Sequence, residues 1–120
     1  METTAVVTDA NPGGDIFGGW LLAQMDLAGA GRAFSYVRGR IVTVGVEAMS
    51  FHHPVFVGDD VLFFTEVARV GNTSITIRIE CWAKRKINQS YVQVTEGLYS
   101  FVAIGKDRKP VSIAVVRGEV

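Results

Sequence analysis

The chain has 120 residues, of which 48% are hydrophobic and 20% charged; this size and composition fit a single globular domain over residues 1–120 and exclude a multidomain enzyme. The 12 Lys and Arg residues balance the 12 Asp and Glu residues, so the chain lacks the positive field that nucleic acid binding needs. Because the net charge is zero and the mean hydropathy is positive, we expect the chain to self-associate.

The sequence offers little for export, metal binding or membrane insertion. The first eight residues have neither a basic region nor a long apolar run, so they are not typical of a signal peptide, and the cytoplasm is the expected compartment. Cys81 is the only cysteine and cannot form an internal disulfide, and one cysteine with two histidines provides too few ligands for a structural zinc site. No apolar stretch approaches the roughly 20 residues that cross a bilayer. We therefore expect no metal, no cofactor and no membrane partner.

In chain order, the predicted elements are one short strand, one helix and then a run of strands. Residues 5–8 are predicted as a weak strand and residues 9–14 as a turn. Between residues 17 and 37, apolar side chains occur around nearly the whole circumference of a helix, which predicts that this helix is buried. Gly39 is expected to end the helix.

The strand after the helix is predicted at Ile41–Phe51, where Val42, Val44, Val46 and Ala48 have the spacing of one strand face. Strands at 61–70 and 73–85 are expected to form a hairpin, and residues 91–104 the last strand. One buried helix among about five strands predicts an α+β fold in which a curved antiparallel sheet wraps around the helix.

The middle of the apolar helix carries an acid, Asp26, whose neighbours three and four residues away are all uncharged. Burying an unpaired carboxylate costs several kcal/mol, so one explanation is that the acid is kept for chemistry. The other is that the helix leaves one stripe in water, or that a basic or hydroxyl group from a strand meets Asp26. The residues alone leave both explanations open.

Glycines in the same helix also need an explanation. Gly29 and Gly31 each cost about 0.5–1 kcal/mol relative to alanine, which indicates close approach of a packed element or of a ligand. Gly18 and Gly19 lie at the helix start, where free amides could hold a developing oxyanion. Gly18 and Asp26 are roughly 12 Å apart along the axis. One carbonyl cannot contact both, so a shared reaction would use two subunits with antiparallel helices.

Five segments occur in the order typical of one family. They are NPGGDIFGGW at 11–20, QMD at 24–26, RIVTV at 40–44, PVFVGD at 54–59 and VGNTS at 70–74. These segments resemble the hotdog-fold acyl-CoA thioesterases of the YciA type. The likeness covers most of the chain, but the tail after Lys109 is atypical, and Pro12 stands where a small or polar residue is expected.

The resemblance implies a hotdog domain that hydrolyses acyl-CoA thioesters as a dimer, often assembled further into a trimer of dimers. It places the catalytic aspartate at Asp26, the asparagine of the preceding loop at Asn11, and the oxyanion turn at Phe17, Gly18 and Gly19. In the implied mechanism the amides at the helix start stabilise the oxyanion, and Asp26 acts as a general base or attacks directly to give an anhydride.

Other residues are weaker candidates for binding the substrate. The resemblance implies that residues 43–46 of the opposing subunit, with Thr43 and Val44, line the acyl tunnel. The basic residues Arg69 and Lys84 are candidates for the phosphates of CoA, although solvated strand ends explain such charges equally well. Asn11 would orient the water or the thioester, but asparagine is also common in turns before helices.

Two other functions stay open. A binding or regulatory protein that keeps the acyl pocket without turnover is the second hypothesis, which Pro12 and the atypical tail favour. A hotdog dehydratase is the third and requires His52 or His53 near Asp26. Because these histidines follow a strand after the helix, we expect them to be solvated, and we expect Cys81 to be a small core residue.

Overall fold

The computed structural model of the chain describes residues 1–4, 13, 15–16 and 18–119. A curved antiparallel sheet of five strands packs against one long helix, which confirms the predicted α+β architecture. The elements are β1 (Glu2–Thr4), α1 (Gly18–Val37), β2 (Ile41–Phe51), β3 (Asp60–Val70), β4 (Ser74–Lys84), β5 (Tyr91–Ala103) and α2 (Ile113–Val116). The predicted strand at 5–8 and, apart from Gly13, the predicted turn at 9–14 fall outside the described residues.

The sheet has the strand order β1-β3-β4-β5-β2, and every neighbouring pair is antiparallel. Its concave face supplies the core beneath α1. In β4 this face is a completely buried row, Ile75, Ile77, Ile79, Cys81 and Ala83. That alternation follows the period of two expected for a strand with one buried face.

Helix α1 is covered on one side only. Leu21, Met25 and Val37 face the sheet and are buried, whereas Leu27 is 61% exposed and Phe34 is 58% exposed. The prediction that the helix is buried all round is therefore wrong for the single chain, because one sheet covers only one stripe of a helix. The outer stripe, with Leu27 and Phe34, has no partner among the described residues.

Gly29 shows which element approaches the helix. A Cβ at this position would lie 2.7 Å from Cδ1 of Ile79 and 3.2 Å from Cζ of Phe101. The sheet therefore packs directly onto the helix backbone at Gly29. Of the two explanations for this glycine, a packed element or a ligand, the structure supports the packed element. Around Gly31, in contrast, no described atom lies within 4 Å of such a Cβ.

The end of α1 differs from the prediction. Arg38, with φ of 62°, adopts the left-handed conformation and donates its amide to the Phe34 carbonyl at 2.8 Å. Gly39 was expected at this point because glycine adopts that conformation without steric cost. A Cβ at Gly39 would instead lie 2.8 Å from Cγ1 of Val116, so this glycine makes room for α2.

The atypical tail packs onto the same end of α1. Ile113 is 2% exposed and belongs to the core. The Arg117 guanidinium lies 4.1 Å from the centre of the Tyr36 ring and donates to the Tyr36 carbonyl. The tail therefore covers the last turn of the long helix.

Strand β2 departs from regular pairing at two places. Between Thr43 and Gly45, and again between Glu47 and Ser50, β2 has one more residue than β5. These are β-bulges, and each one shifts the side chains that follow it to the opposite face of the strand.

The bulges change which residues of β2 face α1. The face toward α1 carries Thr43, Val46, Met49 and Phe51. The prediction that Val42, Val44 and Val46 share one face is therefore wrong, because strict alternation does not survive the inserted residues. Val44 is 58% exposed.

The two edges of the sheet differ in length. The three residues of β1 form one edge and the 11 residues of β2 the other. Within residues 1–4, 13, 15–16 and 18–119, no strand pairs with the outer edge of β2. In the same part of the chain, no helix combines the length and apolar character needed to cross a lipid bilayer.

Candidate active site

A cavity of about 510 Å3 lies between α1 and β2, next to the acid singled out in the sequence. Its lining residues are Leu22, Ala23, Asp26, Thr43, Val46, Met49, Phe51 and Tyr99. The walls are apolar except for a few polar groups, a composition typical of sites for small molecules. Leu22, Met49, Phe51 and Tyr99 were not identified as site residues from the sequence.

Asp26 and Thr43 form the polar pair of this cavity. The Thr43 hydroxyl donates to Oδ1 of Asp26 at 2.7 Å, and the carboxylate is partly exposed. Asp26 therefore has a hydroxyl partner from a strand, which is one of the two explanations that the sequence left open for an acid in this helix. Both residues belong to the same chain, so in this chain Thr43 does not depend on an opposing subunit to reach Asp26.

Tyr99 joins the sheet to the turn of α1 that carries Asp26. Its hydroxyl donates to the Leu22 carbonyl at 2.8 Å, the carbonyl that the Asp26 amide would also use in an α-helix. Burial, and then the negative charge of Asp26, raise the pKa of Tyr99 to about 12. The phenol therefore stays protonated near neutral pH and remains a donor.

Gly18 and Gly19 begin α1 and are exposed. A Cβ at either position would have no described atom within 4 Å. Eight residues of helix separate Gly18 from Asp26, so the two groups do not meet within one chain. Asn11 and Phe17, the other residues predicted around this turn, lie outside the described residues.

Three predicted binding residues lie elsewhere on the sheet. Arg69 pairs with Glu47 at 3.6 Å, and the Lys84 ammonium lies 5.8 Å from the centre of the Tyr91 ring. Val44 occupies the first bulge of β2 and is exposed. Arg69, Lys84 and Val44 are not among the described residues that line the cavity.

Neither histidine, His52 nor His53, is among the described residues that line the cavity. His52 and His53 are both exposed just after β2, as expected, and their amides donate to the Val94 carbonyl. The geometry gives no support to a dehydratase that pairs a histidine with Asp26. In the described ranges, no three His, Cys, Asp or Glu side chains converge as metal ligands would.

Cys81 is a core residue, as predicted, and provides a test of burial. Burial raises the pKa of its thiol from 9.0 to about 12. A pKa raised by folding stabilises the protein below pH 9, and this stability is lost as pH rises toward 12. We expect the urea unfolding free energy to fall more steeply over this range in the wild type than in Cys81→Ala. Tyr99 titrates in both proteins, so its contribution cancels in the comparison. Equal dependence of the unfolding free energy on pH in the two proteins would contradict the burial of the Cys81 thiol.

Comparison with known proteins identifies the family. A profile of the thioesterase superfamily matches residues 13–87. The chain belongs to the thioesterase superfamily. Among its relatives, the acyl-CoA thioester hydrolase YciA of Escherichia coli (strain K12) is 44% identical over 119 residues, covering 96% of this chain and 89% of that protein. The enzyme of the same name from Salmonella typhimurium is 46% identical over 114 residues, covering 92% and 85%.

Solved structures of thioesterases share the fold. The hexameric thioesterase y2039 from Yersinia pestis has a TM-score of 0.89 at 43% identity and covers 93% of this chain and 91% of its own. The hexameric hotdog fold thioesterase of Campylobacter jejuni has a TM-score of 0.87 at 38% identity and covers 99% of this chain and 93% of its own. The hotdog fold, the likeness to YciA and the prediction of a thioester hydrolase are confirmed.

Proposed function

We propose that this thioesterase hydrolyses acyl-CoA to free CoA and a carboxylic acid. The observation that carries the proposal is the hydrogen bond from Thr43 to Asp26 at an apolar cavity. The cavity offers an apolar environment for an acyl chain, and the carboxylate offers a group that accepts a proton. The names of the relatives from Escherichia coli and Salmonella typhimurium support acyl-CoA as the substrate class.

Asp26 is proposed as the general base. With Oδ1 engaged by Thr43, Oδ2 takes a proton from water, and the water oxygen bonds to the thioester carbon. When the tetrahedral intermediate collapses, the carbon–sulfur bond breaks and Asp26 returns the proton to the leaving thiolate. Direct attack by Asp26, which would form an anhydride, stays open. In water labelled with heavy oxygen, an anhydride that opens by attack of water on its Asp26 carbonyl would place label in the Asp26 carboxylate, whereas a general base leaves Asp26 unlabelled.

The oxyanion is proposed to bind the amides of Gly18 and Gly19 from a second copy of the chain. Roughly 12 Å of helix separate Gly18 from Asp26 along the axis, and a dimer with antiparallel helices would bring the two groups together. The exposed stripe of α1 with Leu27 and Phe34, and the open edge of β2, are surfaces that such a partner would cover. Because the similar structures from Yersinia pestis and Campylobacter jejuni are described as hexameric, we propose a trimer of dimers.

The remaining candidates keep their proposed roles around this site. Asn11 is proposed to orient the water or thioester, Phe17 to belong to the oxyanion turn with Gly18 and Gly19, and Val44 to line the tunnel in the dimer. Arg69 and Lys84 are proposed to contact the phosphates of CoA at the sheet surface. Arg69 and Lys84 do not line the cavity that contains Asp26, so they would act on a part of the substrate outside it.

The test is an assay of released CoA thiol over a panel of acyl-CoA esters, with Asp26→Ala run in parallel at matched oligomeric state. The only cysteine of the protein is buried, so the enzyme itself should add little signal to a thiol reagent. We expect turnover by the wild type alone. Equal turnover by both proteins would contradict the role of Asp26. If neither protein turns over but acyl-CoA still raises the melting temperature, the chain is a binding protein.

A further inference from the structure

We propose that Met49 sets the length of the acyl chain that the cavity accepts, because its side chain forms a movable wall over the bare backbone of Gly97. The proposal rests on the proposed function, since it concerns the acyl part of the same substrate. Neither residue belongs to the proposed catalytic groups. Their effect is therefore on which substrate is turned over and not on how the thioester is cleaved.

The position of Met49 along the cavity gives the first argument. Thr43 is hydrogen-bonded to Asp26, and β2 continues from Thr43 through Val46 to Met49 along the cavity wall. Six residues of strand span at most about 20 Å. An acyl chain whose carbonyl lies beside Asp26 and which follows β2 therefore reaches Met49 with its distal carbons.

A bulge directs Met49 into the cavity. Between Glu47 and Ser50, which pair with Leu98 and Glu96, β2 has an additional residue, and Gly97 is the residue of β5 between those two partners. Bulges commonly re-aim a side chain beside a functional site. Without the extra residue, Met49 would fall on the opposite face of β2 from the one that the structure shows.

Gly97 provides the space that Met49 occupies. A Cβ on Gly97 would overlap Sδ of Met49 and would lie 3.3 Å from its Cγ. The thioether therefore lies directly on the backbone of β5, and any side chain at position 97 would displace it. Because Met49 itself lines the cavity, a thioether displaced from Gly97 would move into the cavity.

The chemistry of methionine suits a wall of this kind. Its unbranched thioether side chain has several rotatable bonds and adapts to irregular apolar surfaces. A single methylene in an apolar pocket changes kcat/KM by about 10-fold or more. A change in the position of Met49 should therefore alter the preference between acyl chains that differ by only a few carbons.

The experiment compares kcat/KM for straight-chain acyl-CoA esters of increasing length. We expect Met49→Ala to raise the ratio of long-chain to short-chain turnover by about 10-fold or more, and Gly97→Ala to lower it by pushing Met49 inward. Val70→Ala, at the exposed end of β3, is the matched control and should keep the wild-type profile. A Met49→Ala enzyme that turns over with an unchanged profile would overturn the role of Met49 and leave the proposed function intact.

A double variant covers the case in which Gly97→Ala fails to fold. In Met49→Ala with Gly97→Ala, the new methyl group occupies the space that the thioether has left. We expect this double variant to recover the melting temperature lost in Gly97→Ala alone. A double variant that is no more stable than Gly97→Ala would overturn the proposed packing. Absence of turnover by the wild type with every ester would overturn the proposed function and the role of Met49 together.

Discussion

Asp26→Asn is expected to lower kcat for acyl-CoA hydrolysis by about 10²–10⁴-fold, the usual contribution of a general base. The substitution keeps an oxygen that can accept the Thr43 hydroxyl and removes only the ability to take a proton. The folded structure should therefore survive, and KM should change little compared with kcat. Steady-state kinetics on the preferred ester measures both parameters.

The control for this change is an acid outside the cavity. Glu66 lies on the outer face of β3, its side chain is 66% exposed, and it pairs with Arg78 at 3.6 Å. Glu66→Gln removes a charge in the same way and should leave kcat near the wild-type value. If Asp26→Asn kept more than a tenth of wild-type kcat, the general-base role of Asp26 would have to be abandoned.

Gly18→Pro is expected to lower kcat by about 10²–10³-fold, the cost of removing one donor from an oxyanion hole. Proline is well tolerated at the first residue of a helix, so the substitution deletes the amide hydrogen without breaking α1. Gly18→Ala is the matched comparison, because it keeps the amide and adds a methyl group where no described atom lies within 4 Å. The loss in the proline variant should far exceed the loss in the alanine variant.

Mixing the two inactive variants tests the arrangement across subunits. In a mixed dimer of Asp26→Asn and Gly18→Pro chains, one site would contain both defects and the other site neither. Turnover should therefore return when the two proteins are unfolded together and refolded. If each site used Asp26 and Gly18 from a single chain, refolded mixtures would stay as inactive as the separate variants.

Two features could be predicted from the sequence on physical grounds, namely Asp26 as a candidate site residue and the curved sheet around a helix. Asp26 stood out because a carboxylate among apolar helix residues is costly without a role or a partner. The buried row from Ile75 to Ala83 keeps the period of two of a half-buried strand, because the register shifts beside β4 insert residues into β3 and β5 and none into β4. Where local pattern and final structure agree, as in β4, local information is sufficient.

The errors arise where distant residues decide the outcome. The bulges of β2 depend on its pairing with β5, some 50 residues away, so the orientation of Met49 could not be read from alternation. Tyr99 follows the same alternation as core residues, and only its contact with Leu22 distinguishes it. At the end of α1, Gly39 makes room for Val116 of the distant tail, and the left-handed residue is Arg38.

The open edge of β2 has a thermodynamic consequence. Along its 11 residues, the outward N–H and C=O groups of a lone chain can be satisfied only by water or by another strand. Pairing with a second strand favours the folded state through mass action, so the balance between folded and unfolded chains shifts with how many chains are present. In the proposed dimer, a melting temperature is therefore defined only together with the protein concentration at which it was recorded.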